Sequence, residues 1–562
     1  MSFFDDASLA FLPSGGAGKD GKTYSIKPTD GSGDFTFSRG SNLSATRVGP
    51  TGLIEKGREN LLLRSNQFNT SPWFVTGIDT PTSGQTGYDG SSDAWTLEKN
   101  GAYAYLYQDK SISGVQTFSF YGKAGTIPQA RITINTSAVN VTAAFDLANG
   151  IDLGGSQNIT SSIESVGNGW YRCSVTYNQG TTSRFRIYPA DVGGDLSGTS
   201  GSIYIQDSQV EIGLAATEVI TTGATTGKAG LLEDEPRFDY SGGATCPSLL
   251  LEPSRTNLVE YSEYFEGTGW TTQAGITLTA NTTETLSPEG LNNAYKVVST
   301  DATKGFYFGG LNVTNAAVRT IYLKGSVGGE TIVLKDPSGF GTPSTKTLST
   351  DWQRFEMATT NDGNSYQGLF IDDISVGTIY AYGAQLEAGS YPTSYIPNHS
   401  GTGSVTRGLD VCEGAGDAST FNSTEGVLYA EISALEDLGT ARRYISLSDG
   451  SSSNDLRLYF NNSVGTIAAL SKVGGVTQFS MFGSGYDLTE VHKIAVKYKV
   501  NDFALWIDGV EVDTDSSGSV NAANTFNELA FNGNSLPFFG KAKQVLVFNT
   551  ALSDADLTTL TT

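Results

Sequence analysis

Apolar and polar residues alternate along most of this chain. Thr117-Phe118-Ser119-Phe120-Tyr121 and Thr320-Ile321-Tyr322-Leu323 are typical, and clusters of Gly, Asn, Asp and Ser bound such segments. A period of two is that of a half-buried strand, because successive side chains point to opposite faces of a sheet. Towards the end of the sequence Phe503-Ala504-Leu505-Trp506-Ile507 runs into Asp508-Gly509 and then Val510-Glu511-Val512. Asp-Gly supplies the two positive-φ residues of a type I′ turn, so a tight hairpin is predicted there.

The pattern also repeats. Glu55, Arg58, Asn60, Leu61, Ser65, Phe68 and Trp73 reappear 197 positions later as Glu252, Arg255, Asn257, Leu258, Ser262, Phe265 and Trp270. Further along, Ala94-Trp95 answers to Ala294-Tyr295, and Trp170 and Arg172 to Trp352 and Arg354. The copies close with Ile203-Tyr204, Gln209, Glu211, Gly213 and Thr217 against Ile379-Tyr380, Gln385, Glu387, Gly389 and Thr393, now 176 apart. Insertions and deletions in loops account for the drift.

Two homologous modules are therefore predicted, at 58–222 and 255–400, each a jelly-roll sandwich. Between them Leu232 to Arg237 and Gly242-Gly243 break the alternation, and Gly401-Thr402-Gly403-Ser404 does so again, making 223–254 and 401–422 the expected linkers. A third sandwich is expected at 423–562. Residues 1–57 match no module and are expected to be a separate docking segment. The predicted fold class is all-β: tandem β-sandwich modules, two of them homologous repeats, plus a C-terminal sandwich.

Composition agrees with strands. The 562 residues, enough for about three or four globular units, include 68 Gly, 28 Phe and 26 Tyr but only 3 Met, and 17% are charged. A hydrophobic content of 38% suits thin sandwiches with large solvated faces. Asp and Glu outnumber Lys and Arg by 58 to 35, a formal charge of −23, which argues against nucleic acid and anionic membrane surfaces as partners. Cys173, Cys246 and Cys412 are an odd, widely spaced set, expected to be reduced and mostly buried. The opening MSFFDDASLAFLPSGG has no basic stretch or long apolar run, and no run of about 18 apolar residues occurs, so neither export by a signal peptide nor membrane insertion is expected.

Several segments resemble known families. RENLLLRSNQFNTSPW at 58–73 and RTNLVEYSEYFEGTGW at 255–270 resemble the opening strand of galactose-binding-like carbohydrate-binding modules, and IYIQDSQVEIG and IYAYGAQLEAG their last strand. GVLYAEIS at 426–433, HKIAVKYKVNDFALWIDGVEV at 492–512 and FFGKAKQVLVFNTALSDADL at 538–557 resemble concanavalin A-like or laminin G-like lectin domains. SATRVGPTGLIE at 44–55, PRFDYSGGATCPSLLLEPSRTNL at 236–258 and QLEAGSYPTSYIP at 385–397 are similar to segments of tailed-phage virion proteins, chiefly fibre and tail-associated ones.

These resemblances imply a virion structural protein, a fibre or decoration subunit, with residues 1–57 docking on other capsid or tail proteins and the sandwiches meeting host cell-surface glycans. They also imply a homo-oligomer, a trimer in the case of a fibre. Neither a purely architectural protein without ligand binding nor a glycan depolymerase is set aside by the residues alone.

Catalysis has little to stand on in the sequence. Of the two histidines, His399 lies beside Pro397 in a predicted linker region and His492 enters a predicted strand; no metal-ligand spacing or phosphate loop appears. No catalytic residue is expected. Sugar binding needs exposed aromatic rings in a row, against which a pyranose can stack. In GAYAYLYQD, Tyr103, Tyr105 and Tyr107 share one strand face, with Ala102, Ala104 and Leu106 on the other, so the tyrosines form either an open platform or part of the core. Trp506 is a further candidate, exposed on the lectin-like sheet or buried in a second contact, whereas Trp73 and Trp270, kept in both copies, read as core. Loops such as Asp449-Gly450 and Asn454-Asp455 could supply oxygen ligands to calcium, the one metal the resemblance suggests, and equally well form ordinary turns.

Overall fold

The structure, a computed structural model, describes residues 3–14, 18–40, 43–178, 180–313, 316–335, 343–359, 366–401, 403–533 and 535–562. The chain is all-β: two jelly-roll modules precede a third β-sandwich. No helix of the described residues is long and apolar enough to cross a membrane.

In the first module two six-stranded antiparallel sheets face each other. The inner sheet runs in spatial order Ile159–Gly167, Trp170–Tyr177, Gln116–Ala124, Gly201–Ile212, Ala94–Lys99 and Thr82–Gln85. The outer sheet runs Ile151–Gly155, Asn140–Asp146, Gln129–Thr136, Thr182–Ala190, Tyr105–Ile112 and Phe74–Thr76. Alternation drives the packing: Phe118, Phe120, Ile203 and Ile205 of one sheet meet Ile132, Ile134, Phe185 and Ile187 of the other in a closed core. The second module repeats this with two five-stranded sheets around Phe306, Ile321, Leu334, Ile371 and Leu386.

The polar residues shared by the two copies hold the closing strand. Asn60 accepts from the Leu62 and Val210 amides and donates to the Ser208 and Ile220 carbonyls. Asn257 makes the same four bonds, with Val259, Leu386, Ala384 and Ile396. Likewise Gln209 and Gln385 each accept from a backbone amide, of Ile220 and Ile396, and Glu211 and Glu387 accept from the amides of Thr217 and Thr393. Each is fully buried, where an unpaired amide or carboxylate would be costly, so the set is kept for folding.

The C-terminal sandwich gathers strands from distant parts of the chain. Its eight-stranded sheet contains Glu425–Ala434, His492–Lys499, Phe503–Ile507 and Gly540–Phe548, but also Arg237–Asp239, Ser248–Leu251 and Leu9–Phe11. Leu9, Ala10 and Phe11 lie opposite Val547, Leu546 and Val545. Phe35–Ser38 pairs with Val411–Glu413, and Phe11, Phe35 and Phe37 fill the core beside Phe531 and Phe538. This corrects three sequence expectations. The segment 1–57, expected to be a separate docking segment, is not separate, since Phe11, Phe35 and Phe37 lie in the core of the third sandwich. The spans 223–254 and 401–422 are not open linkers, since both contribute paired strands, Val405–Arg407 joining Arg255–Asn257. Strands of three or four residues are too short to show a period, which is why they passed for linkers. Thr402, in the second of these spans, lies outside the described residues. Cys173 and Cys412 are buried as expected, while Cys246 is exposed.

The predicted hairpin turn is present, with φ of 49° at Asp508 and 83° at Gly509. Where these segments converge lies a buried charged knot. Arg237 pairs with Glu252 at 2.5 Å and with Asp410, Arg407 pairs with Glu252 at 2.7 Å, and Arg39 pairs with Asp410 at 3.4 Å. Burial alone would raise the Glu252 carboxyl, but Arg407, Arg237 and hydrogen bonds from Ser394 hold it well below the usual carboxylate range.

Because Phe11 is buried at the meeting of strand and core, Phe11→Ala is expected to destabilise the C-terminal sandwich by about 3–5 kcal/mol. Chemical denaturation followed by tryptophan fluorescence measures it; a loss under about 1 kcal/mol would mean the N-terminal strand is not part of that fold.

Candidate functional site

The outer sheet of the first module turns one side to the core and the other to solvent, and register alone arranges the exposed side. Tyr107 stands between Phe74 and Arg186, with Thr133 beyond. In the neighbouring row Tyr105 lies across from Thr76, and Tyr188 across from Arg131. Asp109 faces Arg184, then Asn135 and Asn140. Intervening residues Leu106, Ile132, Phe185 and Ile187 are fully buried.

The rings form a connected layer. Tyr105 lies 5.6 Å from Tyr107 and 5.0 Å from Tyr188 between centroids, and Phe74 lies 5.4 Å from Tyr107. Guanidinium groups rest on the tyrosines, Arg184 at 4.1 Å from the Tyr107 centroid and Arg186 at 4.8 Å from that of Tyr105. Arg184 also donates to Asp109, at 2.9 Å through one nitrogen, and this bond holds the Asp109 carboxyl below its ordinary value.

Of the predicted row of three tyrosines, two are thus in place. Tyr105 and Tyr107 sit half-buried on the open face, with Ala104 and Leu106 inward. Tyr103 precedes the strand in a left-handed turn at φ 55°, donates its amide to the Leu196 carbonyl, and is 64% exposed beside the platform rather than on it. Trp506 is buried at 6% exposure beneath the C-terminal helix Asp554–Thr561, against Tyr429, Leu557 and Leu560, and offers no open ring. The strand alternation of 503–507 could not show that a helix covers the sheet's second face. Trp73 is core, its indole N–H donating to Arg64 O at 2.9 Å; Trp270 donates to the equivalent Tyr261 O at 2.9 Å and is half-buried.

Phe74, Tyr188, Arg131, Arg184 and Arg186 were missed in the sequence. The signal existed: Arg184, Arg186 and Tyr188 alternate with Phe185 and Ile187, and Arg131 and Thr133 with Ile132 and Ile134. What the sequence lacks is the order of strands that makes these neighbours.

Both histidines have local polar partners. His492 is held by Asp508 at 2.7 Å and the Asp487 carbonyl at 2.8 Å. His399 sits at the junction of the two jelly rolls, beside a cavity of about 320 Å³ lined in part by Lys56, Arg58 and Glu211. There Lys56 pairs with Glu263 at 2.7 Å and Glu289 at 2.5 Å, and Arg58 with Glu289 at 2.7 Å. Burial would raise the Glu263 carboxyl, but Lys56 and His399 outweigh it and bring it down to about 2. Burial pushes the His399 imidazole down to about 4. In the proposed calcium loops, Asp449 accepts from the Ser451 amide and Asn454, and Asp455 from Arg457. Among the described residues no three His, Cys, Asp or Glu side chains converge as a metal site.

No known family model matches the sequence, and no curated protein does. Among solved structures, a leech intramolecular trans-sialidase aligns at 18% identity over 25% of this chain and 23% of its own, with a TM-score of 0.21. Domain 4 of an extracellular arabinanase from Geobacillus stearothermophilus aligns at 14% over 29% of this chain and 78% of its own, with a TM-score of 0.23. Mouse laminin alpha1 domains LG4-5 align at 10% over 43% and 86%, with a TM-score of 0.18. The chain spans less than a quarter of the leech enzyme.

Both shifts at the junction are depressions from unfolded values, 6.5 for the histidine and 4.5 for the glutamate. The unfolded chain therefore binds more protons, and stability present at neutral pH falls as pH drops, first from about 6.5 to 4 through His399 and then below about 4.5 through Glu263. His399→Gln is expected to flatten the upper limb, roughly 3 kcal/mol at most, and to shrink the lower one without removing it, since Lys56 still depresses Glu263. Urea denaturation across that range tests it, and an unchanged upper limb would show that His399 does not titrate this way.

Proposed function

We propose that the chain is a non-enzymatic structural subunit of a tailed-phage particle that binds cell-surface glycans through the outer face of its first jelly roll. The observation that carries the binding half is the solvent-facing layer of Tyr105, Tyr107 and Phe74, backed by the buried ring of Tyr188 and fixed by strand register over a closed core. A pyranose presents a flat C–H face, and rings held rigid by a sheet lose little entropy in stacking on it. Thr76 and Asn135 beside the rings supply hydrogen-bond partners for hydroxyls.

The particle half rests on the sequence segments at 44–55, 236–258 and 385–397 and their likeness to virion proteins. In this reading the chain works on the outside of the particle, beside other capsid or tail proteins, and multiple copies raise weak sugar contacts to useful avidity.

Tyr105→Ala with Tyr107→Ala is expected to abolish binding in a panel of bacterial-surface polysaccharides, a loss of about tenfold or more per stacked ring, while the thermal midpoint moves little. No reducing ends should be released. A folded wild-type chain that binds nothing in the panel would favour a purely architectural role, and sugar release would favour a depolymerase.

A further inference from the structure

We propose that this face is built for an acidic polysaccharide, with Arg131 and Arg186 receiving its carboxylates; the inference rests on the glycan-binding reading above. Three guanidinium groups, Arg131, Arg184 and Arg186, occupy the outer side of two adjacent strands. Asp109 neutralises one of them, Arg184. Arg131 has no ion-pair or hydrogen-bond partner among the described residues. Arg186 donates one nitrogen to the Tyr188 hydroxyl at 3.3 Å, and its buried Nε has no partner.

The other carboxylates at the rim are engaged elsewhere. Asp146 caps its own turn through the Ala148 and Asn149 amides. Asp191 faces Lys99 at 3.4 Å, and Asp195 accepts from Ser197. A chain with a formal charge of −23 thus leaves two guanidinium groups uncompensated beside a ring platform. Half-buried donors in a planar fork are matched by a carboxylate, which takes two parallel bonds at once.

The second module shows that packing does not require these arginines. Trp73 and Trp270 are equivalent, so Phe74 corresponds to Thr271, and register then places Tyr307 at the position of Tyr107. Following the ladder across, Phe370 stands where the first module has Arg186, Gly368 where it has Arg184, and Val333 where it has Arg131. Phe370 instead stacks on Tyr307 at 4.2 Å, and Lys335 at the Thr133 position is paired with Asp372 and Asp373, both at 3.0 Å. One scaffold folds with either set, and among the described residues the positions of Arg131, Arg184 and Arg186 hold no cation in the second module.

The full-length chain is titrated with polygalacturonate, with the same polymer after carboxyl reduction, and with single-stranded RNA. The acidic polymer is expected to bind at least about tenfold more tightly than its reduced form, with an affinity that falls as salt rises. Arg131→Ala with Arg186→Ala should remove that preference and leave binding of the reduced polymer unchanged. Arg186→Gln, which keeps the stem over Tyr105, replaces the alanine if the midpoint falls. Equal affinity for the two polymers, a preference that survives the double substitution, or equal binding of RNA would overturn the acidic-glycan assignment. Tyrosine-dependent binding of both polymers alike would overturn it while leaving the glycan-binding reading in place. No binding of either polymer by folded protein would sink both.

Discussion

The architecture hangs on the buried knot of Arg39, Arg237, Arg407, Glu252 and Asp410. Its members come from the N-terminal segment, the stretch between the jelly rolls, and the stretch before the last sandwich, so one cluster holds three crossings of the chain. Three guanidinium groups against two carboxylates would be intolerable without further acceptors, and the carbonyls of Leu232, Glu235 and Pro253 provide them. Such a cluster adds little net stability over an apolar core of the same shape, but losing one partner strands a buried charge at a cost of about 3–5 kcal/mol. It therefore fixes which segments meet rather than how tightly they cohere.

That constraint explains why the third sandwich takes strands from residues 9, 237 and 248 as well as from its own stretch of sequence. Once Arg237 and Glu252 are locked, Ser248–Leu251 has one place to go, beside Gly540–Phe548. With Leu9–Phe11 paired to the same strand, the C-terminal sheet is completed by residues more than 500 positions away. Pairings so distant are costly to close, and the phenylalanine cluster of residues 11, 35 and 37 is the apolar gain that offsets them.

Much of the fold was legible because alternation and repetition are local signals. The two modules and the hairpin at Asp508-Gly509 follow from a few residues each, and the structure shows them. What stayed hidden depends on neighbours across strands. Tyr105 and Tyr107 could be placed on one face, but whether that face was open depended on the opposing sheet. Trp506 shared its pattern and is covered by a helix. The arginines on the strand beside the tyrosines alternate as visibly as the tyrosines do, yet nothing in the sequence says that Thr182–Ala190 lies next to Tyr105–Ile112.

Duplication gives an internal control on which residues serve the fold. Asn60 and Asn257, Gln209 and Gln385, and Glu211 and Glu387 make the same backbone bonds in each copy, and they are buried. Conservation between the copies therefore marks the closing strand, and residues that matter for recognition are to be sought where the copies diverge. On the outer sheet they diverge at the positions of Arg131, Arg184 and Arg186, while the tyrosine between them persists as Tyr307. An aromatic ring is thus common to both faces, while Phe370, Gly368 and Val333 stand in the second where the first has arginines, so the sheet's packing does not dictate the side chains around that ring.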